Sequence, residues 1–387
     1  MINISRKHHF SKEYQRWATV IAAGLALLLF FIFLGIWQIS FGDVAEALVM
    51  VVVDGDNFRH FLALATALIL LGLVSAMAFR GGIFYLSVEG QFLAGMMLSA
   101  WLIDNFYITL GAWLLPVVIV AASMLGLLLG LLVGALRHYM RLHEILGSMF
   151  LVYGVHYFFN DVKTTIVWAE TYRLLADALP ELSFPIFGSG IFYAFLITTL
   201  FALLYQYHIV TFVIKLMGYG RKAIAEIGKK EDSVYWMIMM VGGALAGSAG
   251  FLAVLDNWVV TDNNDAISVV PLWSLTIAVI VVIFFGRMTP IAIGIAGLFF
   301  ALVASVIENL DLALAVADGL FQVFCAMSLL LLLLVDFLNK YQIEMGHFLR
   351  RSLMMVDNKN ATGKHRNVRN GDVEILYKKG QIKKDDR

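Results

Sequence analysis

The stretch FRGGIFYLSVEGQFLAGMMLSAW, Phe79 to Trp101, decides the fold. It is apolar enough to lie in a bilayer. Yet Glu89 and Gln91 stand in its middle, beside Gly90 and just after the pair Gly81 and Gly82. An ionisable side chain at that depth costs on the order of 3 kcal/mol or more unless it faces a partner or a wet cavity. Small residues beside it let helix backbones approach closely. The remainder of the chain is therefore read as helices packed around this polar segment. That gives an all-α, polytopic membrane protein with one helix short or broken around Ser87–Gln91.

Composition supports this reading. Of 387 residues, 61% are hydrophobic and 14% charged, against roughly 45–50% and about 25% in soluble proteins. Runs near the roughly 20 residues a bilayer requires predict ten spans, at 17–37, 61–79, 81–101, 110–136, 145–159, 191–214, 235–255, 268–285, 291–307 and 320–338. The chain divides into a polar, basic N-terminal segment, 1–16, which reads as a short amphipathic helix on the membrane surface. A transmembrane helical domain follows over 17–338, then a basic polar tail over 339–387. The segment holding Asp43, Glu46, Asp54 and Asp56 reads as an external loop. The single cysteine, Cys325, lies in an apolar run and reads as a small buried hydrophobe.

Charge sets the orientation. With the N-terminus cytoplasmic, the inner segments hold 13 Lys and Arg before the tail, the tail holds 12, and the outer loops hold 3. Basic residues in short loops favour the cytoplasmic side. Both termini are then expected inside. Charges of both signs and little apolar content in the tail suggest contact with anionic lipid rather than nucleic acid.

The inner segment KLMGYGRKAIAEIGKKEDSV, 215–234, is the most informative piece outside the bilayer. Gly218, Gly220 and Gly228 bracket a short helical run in which Ala223, Ile224 and Ile227 share one small apolar face. Arg221 opens that run. Such a knob suits a cytoplasmic partner, and equally an ordinary positive-inside loop. GGALAGSAG, 242–250, reads as a close-packing helix face or a mobile joint. GRMTP, 286–290, reads as a tight turn between spans.

At these residues the chain resembles the permease subunit of an ABC importer, of the family carrying simple sugars, nucleosides and branched-chain amino acids. FYLSVEGQ, 84–91, is similar to the Glu-Gly-Gln motif of its nucleoside branch. HEILGSMFLVYG, 143–154, resembles its fifth-span segment. Residues 218–228 with ALAGSAG resemble its coupling loop and the glycine-rich helix beyond, and GRMTP resembles a Gly-x-x-x-Pro turn. The resemblance implies a bacterial inner-membrane location and a second permease subunit, identical or related. It also implies two cytoplasmic ATPases docked at Gly218, Arg221, Ala223, Ile224, Ile227 and Gly228, and an extracytoplasmic binding protein or lipoprotein. No GxxxxGK[ST] phosphate-gripping motif occurs here, so ATP and Mg²⁺ are expected on the partner and no cofactor on this chain.

A nucleoside or simple sugar needs a few hydrogen-bonding groups and aromatic surface along its path. The candidates are Glu89 and Gln91 for the former, and Phe84, Tyr85, Tyr153 and Tyr157 for the latter. Tyr153 and Tyr157 lie four apart and share a helix face. Glu89 also reads as a structural cap, as a partner of Arg80, or as the proton site of an ion-coupled secondary transporter. No clustered carboxylates, cysteines or histidines predict a metal site.

Overall fold

A computed structural model describes residues 3–6, 20–22, 24–28, 31, 35, 39–110, 113–162, 189–207, 209–220, 224, 228, 231–255, 260–261, 267–268, 273–314 and 320–344. Among them, helices dominate. In chain order they are α1 Phe41–Val53, α2 Gly55–Arg80, α3 Val88–Leu110, α4 Leu114–Met140, α5 Glu144–Val162 and α6 Ser189–Tyr207. There follow α7 Ile209–Tyr219, α8 Glu231–Leu255, α9 Trp273–Phe285, α10 Pro290–Leu314 and α11 Leu320–Lys340. Residues 20–22 and 24–28, within the first expected span, are also helical. Four short strands complete the described structure: β1 Asn3–Arg6, β2 Val260–Thr261, β3 Ile267–Ser268 and β4 Tyr341–Glu344.

Among the described residues, five helical segments are long and apolar enough to cross a membrane: 57–80, 114–140, 232–255, 290–310 and 320–337. The two segments Gly190–Leu204 and Leu275–Phe285 are apolar but shorter. The chain forms a polytopic all-α membrane protein. Its helices sort into central and peripheral ones. The apolar window of α2 is 89% buried, whereas those of α4 and α11 are 33% buried. A helix apolar on all sides belongs inside a bundle or against lipid, and the two outer helices offer their bare faces to acyl chains.

The contacts form two compact units, Arg16–Leu333 and Met1–Gln15 with Leu334–Arg387. In the larger unit α8 is the hub, packed against α4, α3, α2 and α6, while α10 packs along α2 and α9. In the smaller unit β1 pairs antiparallel with β4, Asn3 opposite Glu344 and Arg6 opposite Tyr341. The expected surface helix over 1–16 is therefore corrected over its described part. Each strand supplies the other's ladder partners, with Ile4 opposite Ile343 in the middle.

Three further differences have local causes. The expected external loop after the first span is instead α1. Ser40 Oγ accepts from the Asp43 N–H at 3.2 Å and Asp43 Oδ2 accepts from the Ser40 N–H at 2.8 Å. This capping box starts a helix whose Ala47 and Val51 are buried. The break expected around Ser87–Gln91 falls earlier, at Gly81–Ser87, and α3 is continuous from Val88. The sixth expected span holds two helices, α6 to Tyr207 and α7 from Ile209. There Thr211 Oγ1 donates to the Leu204 carbonyl at 3.0 Å.

The glycine-rich segment of α8 serves close packing. A Cβ on Gly247 would lie 2.2 Å from the Ala122 carbonyl oxygen of α4, and one on Gly243 would lie 2.2 Å from that of Gly126. Any side chain at these positions would push α4 off the hub.

Candidate translocation site

The site is built on the link between α2 and α3. Gly82 takes φ 73°, a conformation that costs any residue with a Cβ roughly 1–2 kcal/mol. It closes α2 with two bonds, Ile83 N–H to the Ala78 carbonyl at 3.0 Å and Gly82 N–H to the Phe79 carbonyl at 3.1 Å. This is the paired closure of a Schellman cap. The next residues run without regular structure and alternate, Ile83 and Tyr85 buried and Phe84 exposed. Helix α3 then opens with Glu89 and Gln91 in its first turn.

Tyr85, Glu89 and Gln91 come together in the interior, each no more than 3% exposed. The Tyr85 hydroxyl donates to Gln91 Oε1 at 2.5 Å, and Gln91 Nε2 donates to Ser87 Oγ at 3.4 Å. Gly242 leaves room for this pair: a Cβ there would lie 3.1 Å from the Tyr85 ring. Glu89 turns to the start of α9, where Oε2 accepts from the Thr276 N–H at 3.1 Å and from the Thr276 hydroxyl. A carboxylate at a helix start satisfies backbone N–H groups and meets the positive end of the helix dipole. The polar trio is thus bonded internally and ties the α2–α3 link to α9.

Phe84, Tyr153 and Tyr157 lie elsewhere, on the surface. Phe84 is 49% exposed, Tyr153 46% and Tyr157 78%. The two tyrosines continue a stripe with Leu146 and Phe150, all exposed, at the spacing of one helical face. The opposite face of α5 rests on α3. A Cβ on Gly90 would lie 3.1 Å from the Val152 Cα, so the backbones touch there. The six candidate path residues are therefore not one cluster: Tyr85, Glu89 and Gln91 are buried, while Phe84, Tyr153 and Tyr157 are exposed.

A second constellation joins that frame to the segment before α8. Glu144, at the start of α5, accepts from the Phe84 N–H through Oε2 at 2.9 Å. Its Oε1 pairs with Arg137 near the end of α4. The Arg137 guanidinium stands 4.2 Å from the centroid of the Tyr235 ring, a cation–π distance. Tyr235 lies in the first turns of α8, directly after 215–234. Beside it His138 approaches Asp232 at 4.0 Å, and a Cβ on Gly134 would lie 2.8 Å from the Trp236 ring. Sequence reading singled out neither Thr276, Arg137 nor Tyr235. Arg137 and Glu144 carried a signal as opposite charges flanking a short turn between apolar runs. Thr276 was one hydroxyl in an apolar run.

Of the predicted docking residues, Gly218 packs on the end of α2, where a Cβ would lie 2.3 Å from the Arg80 carbonyl oxygen. Gly220 and Gly228 take φ 124° and 70°. Ile224 is helical and 1% exposed. Arg221, Ala223 and Ile227 lie outside the described residues, as does the tail beyond Glu344. The GRMTP turn is closed by Thr289 N–H and hydroxyl bonds to the Gly286 carbonyl, at 2.8 and 3.0 Å. Glu308 approaches His60 at 3.5 Å. Among the described residues, no three His, Cys, Asp or Glu side chains gather as metal ligands.

Residues 57–335 match the family described as branched-chain amino acid transport system / permease component. The chain belongs to this family. The match covers both constellations and the segment between them. Curated relatives include the glucose ABC transporter permease protein TsgB13 of Haloferax volcanii, 24% identical over 309 residues, 74% of this chain and 78% of the relative. The guanosine permease NupP of Bacillus subtilis is 24% identical over 229 residues, 56% of this chain and 61% of the relative. The nucleoside permease NupB of Lactococcus lactis is 23% identical over 253 residues, 60% and 67%. No solved structure matches. The chain is the permease subunit of an ABC importer, a transporter component and not an enzyme.

Proposed function

We propose that this permease carries a nucleoside or simple sugar inward by alternating access, with the exposed aromatic face of α5 and Phe84 as its contribution to the path. The observation that carries this is the separation of the six candidate residues. Planar surface stands exposed on Phe84, Tyr153 and Tyr157, while Tyr85, Glu89 and Gln91 hold the backbone behind it. A flat base or sugar ring stacks on such rings and bonds to phenolic hydroxyls. Relatives named for glucose, guanosine and nucleosides point to the same two substrate classes. The exposed face is completed by a second permease subunit, identical or related. A binding protein or lipoprotein delivers substrate from outside.

The topology that fits is ten spans in a bacterial inner membrane with both termini cytoplasmic. Pairing of β1 with β4 supports an even number, because strands on opposite sides of a bilayer cannot share a ladder. Arg80 ends α2, Arg137 and Arg141 close α4, Lys215 stands in α7 and Arg287 follows α9, which supports a cytoplasmic side for these helix ends. Separate ATPases, holding ATP and Mg²⁺, dock on 215–234. Their movement reaches the path through Tyr235, Arg137, Glu144 and the Phe84 N–H.

The experiment is uptake into vesicles containing the full complex, with labelled guanosine, uridine and glucose in turn. Saturable, ATP-dependent uptake of a nucleoside or hexose, lost in Tyr153→Ala with Tyr157→Ala, is the expected result. Uptake of branched-chain amino acids alone would overturn the substrate class.

A further inference from the structure

A cavity of about 200 Å³ lies away from the translocation face. Its walls come from Leu73, Ala76 and Met77 of α2, Phe201 and Leu204 of α6, and Ile214 of α7, with α8 and α10 closing it. A water molecule occupies only roughly 10–15 Å³ of such space, but it requires two or more polar partners. These walls are almost wholly apolar, so water is a poor filler. The lining is exposed at Leu204 and Val241, which opens the cavity to the bundle surface, where a membrane protein meets acyl chains. Leu204 of α6 and Thr211 of α7, which are hydrogen-bonded to one another, both line it.

The mouth is basic. Arg80 itself lines the cavity. Lys215 follows the lining residue Ile214 and is exposed, and Arg287 precedes the lining residue Met288. Three cations from three elements thus stand in the lining of the apolar slot or one residue beyond it. We propose that this cavity binds an anionic phospholipid, one acyl chain inside the slot and the phosphate against Arg80, Lys215 and Arg287. The acyl chain leaves one hydrocarbon surrounding for another, so apolar fit alone selects no headgroup. The selection comes from charge, as in basic pockets between membrane helices at the cytoplasmic leaflet. The lipid would stand between α7, which leads into the coupling segment, and the GRMTP turn. It is distinct from any lipid contact of the tail.

The test is native mass spectrometry of the full complex, purified from bilayers of equal phosphatidylglycerol and phosphatidylcholine. Wild type is expected to retain phosphatidylglycerol at least fivefold over phosphatidylcholine. Ala76→Phe, which fills the slot, is expected to abolish retention of both. Arg80→Gln with Arg287→Gln is expected to keep a lipid but lose the headgroup preference. Should Ala76→Phe not fold, Leu204→Trp at the rim serves the same purpose. Equal retention of the two lipids by wild type, or undiminished retention in a folded slot-filling variant, would overturn the proposal.

Discussion

At the scale of single residues, the membrane sets a strict rule: each buried polar atom must find a partner. Glu89 finds Thr276, and Gln91 finds Tyr85 and Ser87. That Glu89 was exceptional is plain from its surroundings in the sequence. Its partner was not legible, because Thr276 lies 187 residues away and nothing in an apolar run marks one threonine as its mate. The account expects Glu89→Gln to fold nearly as well as wild type, since the amide oxygen still accepts from the Thr276 N–H. Glu89→Ala leaves that start of α9 without an acceptor and is expected to cost about 1–2 kcal/mol, read as a lowered melting temperature in detergent. Gly82→Ala places a Cβ at φ 73° and is expected to cost roughly 1–2 kcal/mol by the same measurement.

At the scale of elements, the glycine-rich run was legible as an alternative between packing and hinge, and the geometry selects packing. Gly247→Ala is therefore expected to cut folded yield severely, since its Cβ would meet the Ala122 carbonyl at 2.2 Å. Gly154→Ala, with nothing within 4 Å, is expected to express normally; size-exclusion profiles compare the two. The break before α3 was legible from Gly81–Gly82 but was placed several residues late. Polarity drew attention to Ser87–Gln91, whereas the Schellman closure at Gly82 decides where α2 stops. The Arg137–Glu144 node joins α4, α5, α8 and the α2–α3 link. Glu144→Gln is expected to lower uptake at least tenfold while the complex still hydrolyses ATP. Exchanging the pair, Arg137→Glu with Glu144→Arg, restores opposite charges but offers the Phe84 N–H no acceptor at position 144. It is expected to recover thermal stability and not uptake. Recovery of both would assign the node to stability alone.

At the scale of the whole molecule, length, composition and charge distribution made an all-α polytopic protein legible before any coordinates. They did not reveal α1, whose Ser40–Asp43 capping box lies in a stretch that reads equally well as an acidic loop. Nor did they reveal that the two chain ends share a β ladder, since pairing between residues more than three hundred positions apart leaves no local period to read. The proposed topology has a direct check. In a Cys325→Ala background, a membrane-impermeant maleimide is expected to label Glu46→Cys in intact cells and Lys215→Cys only after permeabilisation. The most direct test of the central claim is gentle purification of the permease from its native membrane, with mass spectrometry of what accompanies it. A P-loop ATPase in stoichiometric amount, together with ATP-dependent uptake, is the predicted result. A permease that comes out alone, with uptake driven by a proton gradient and indifferent to ATP, would contradict it.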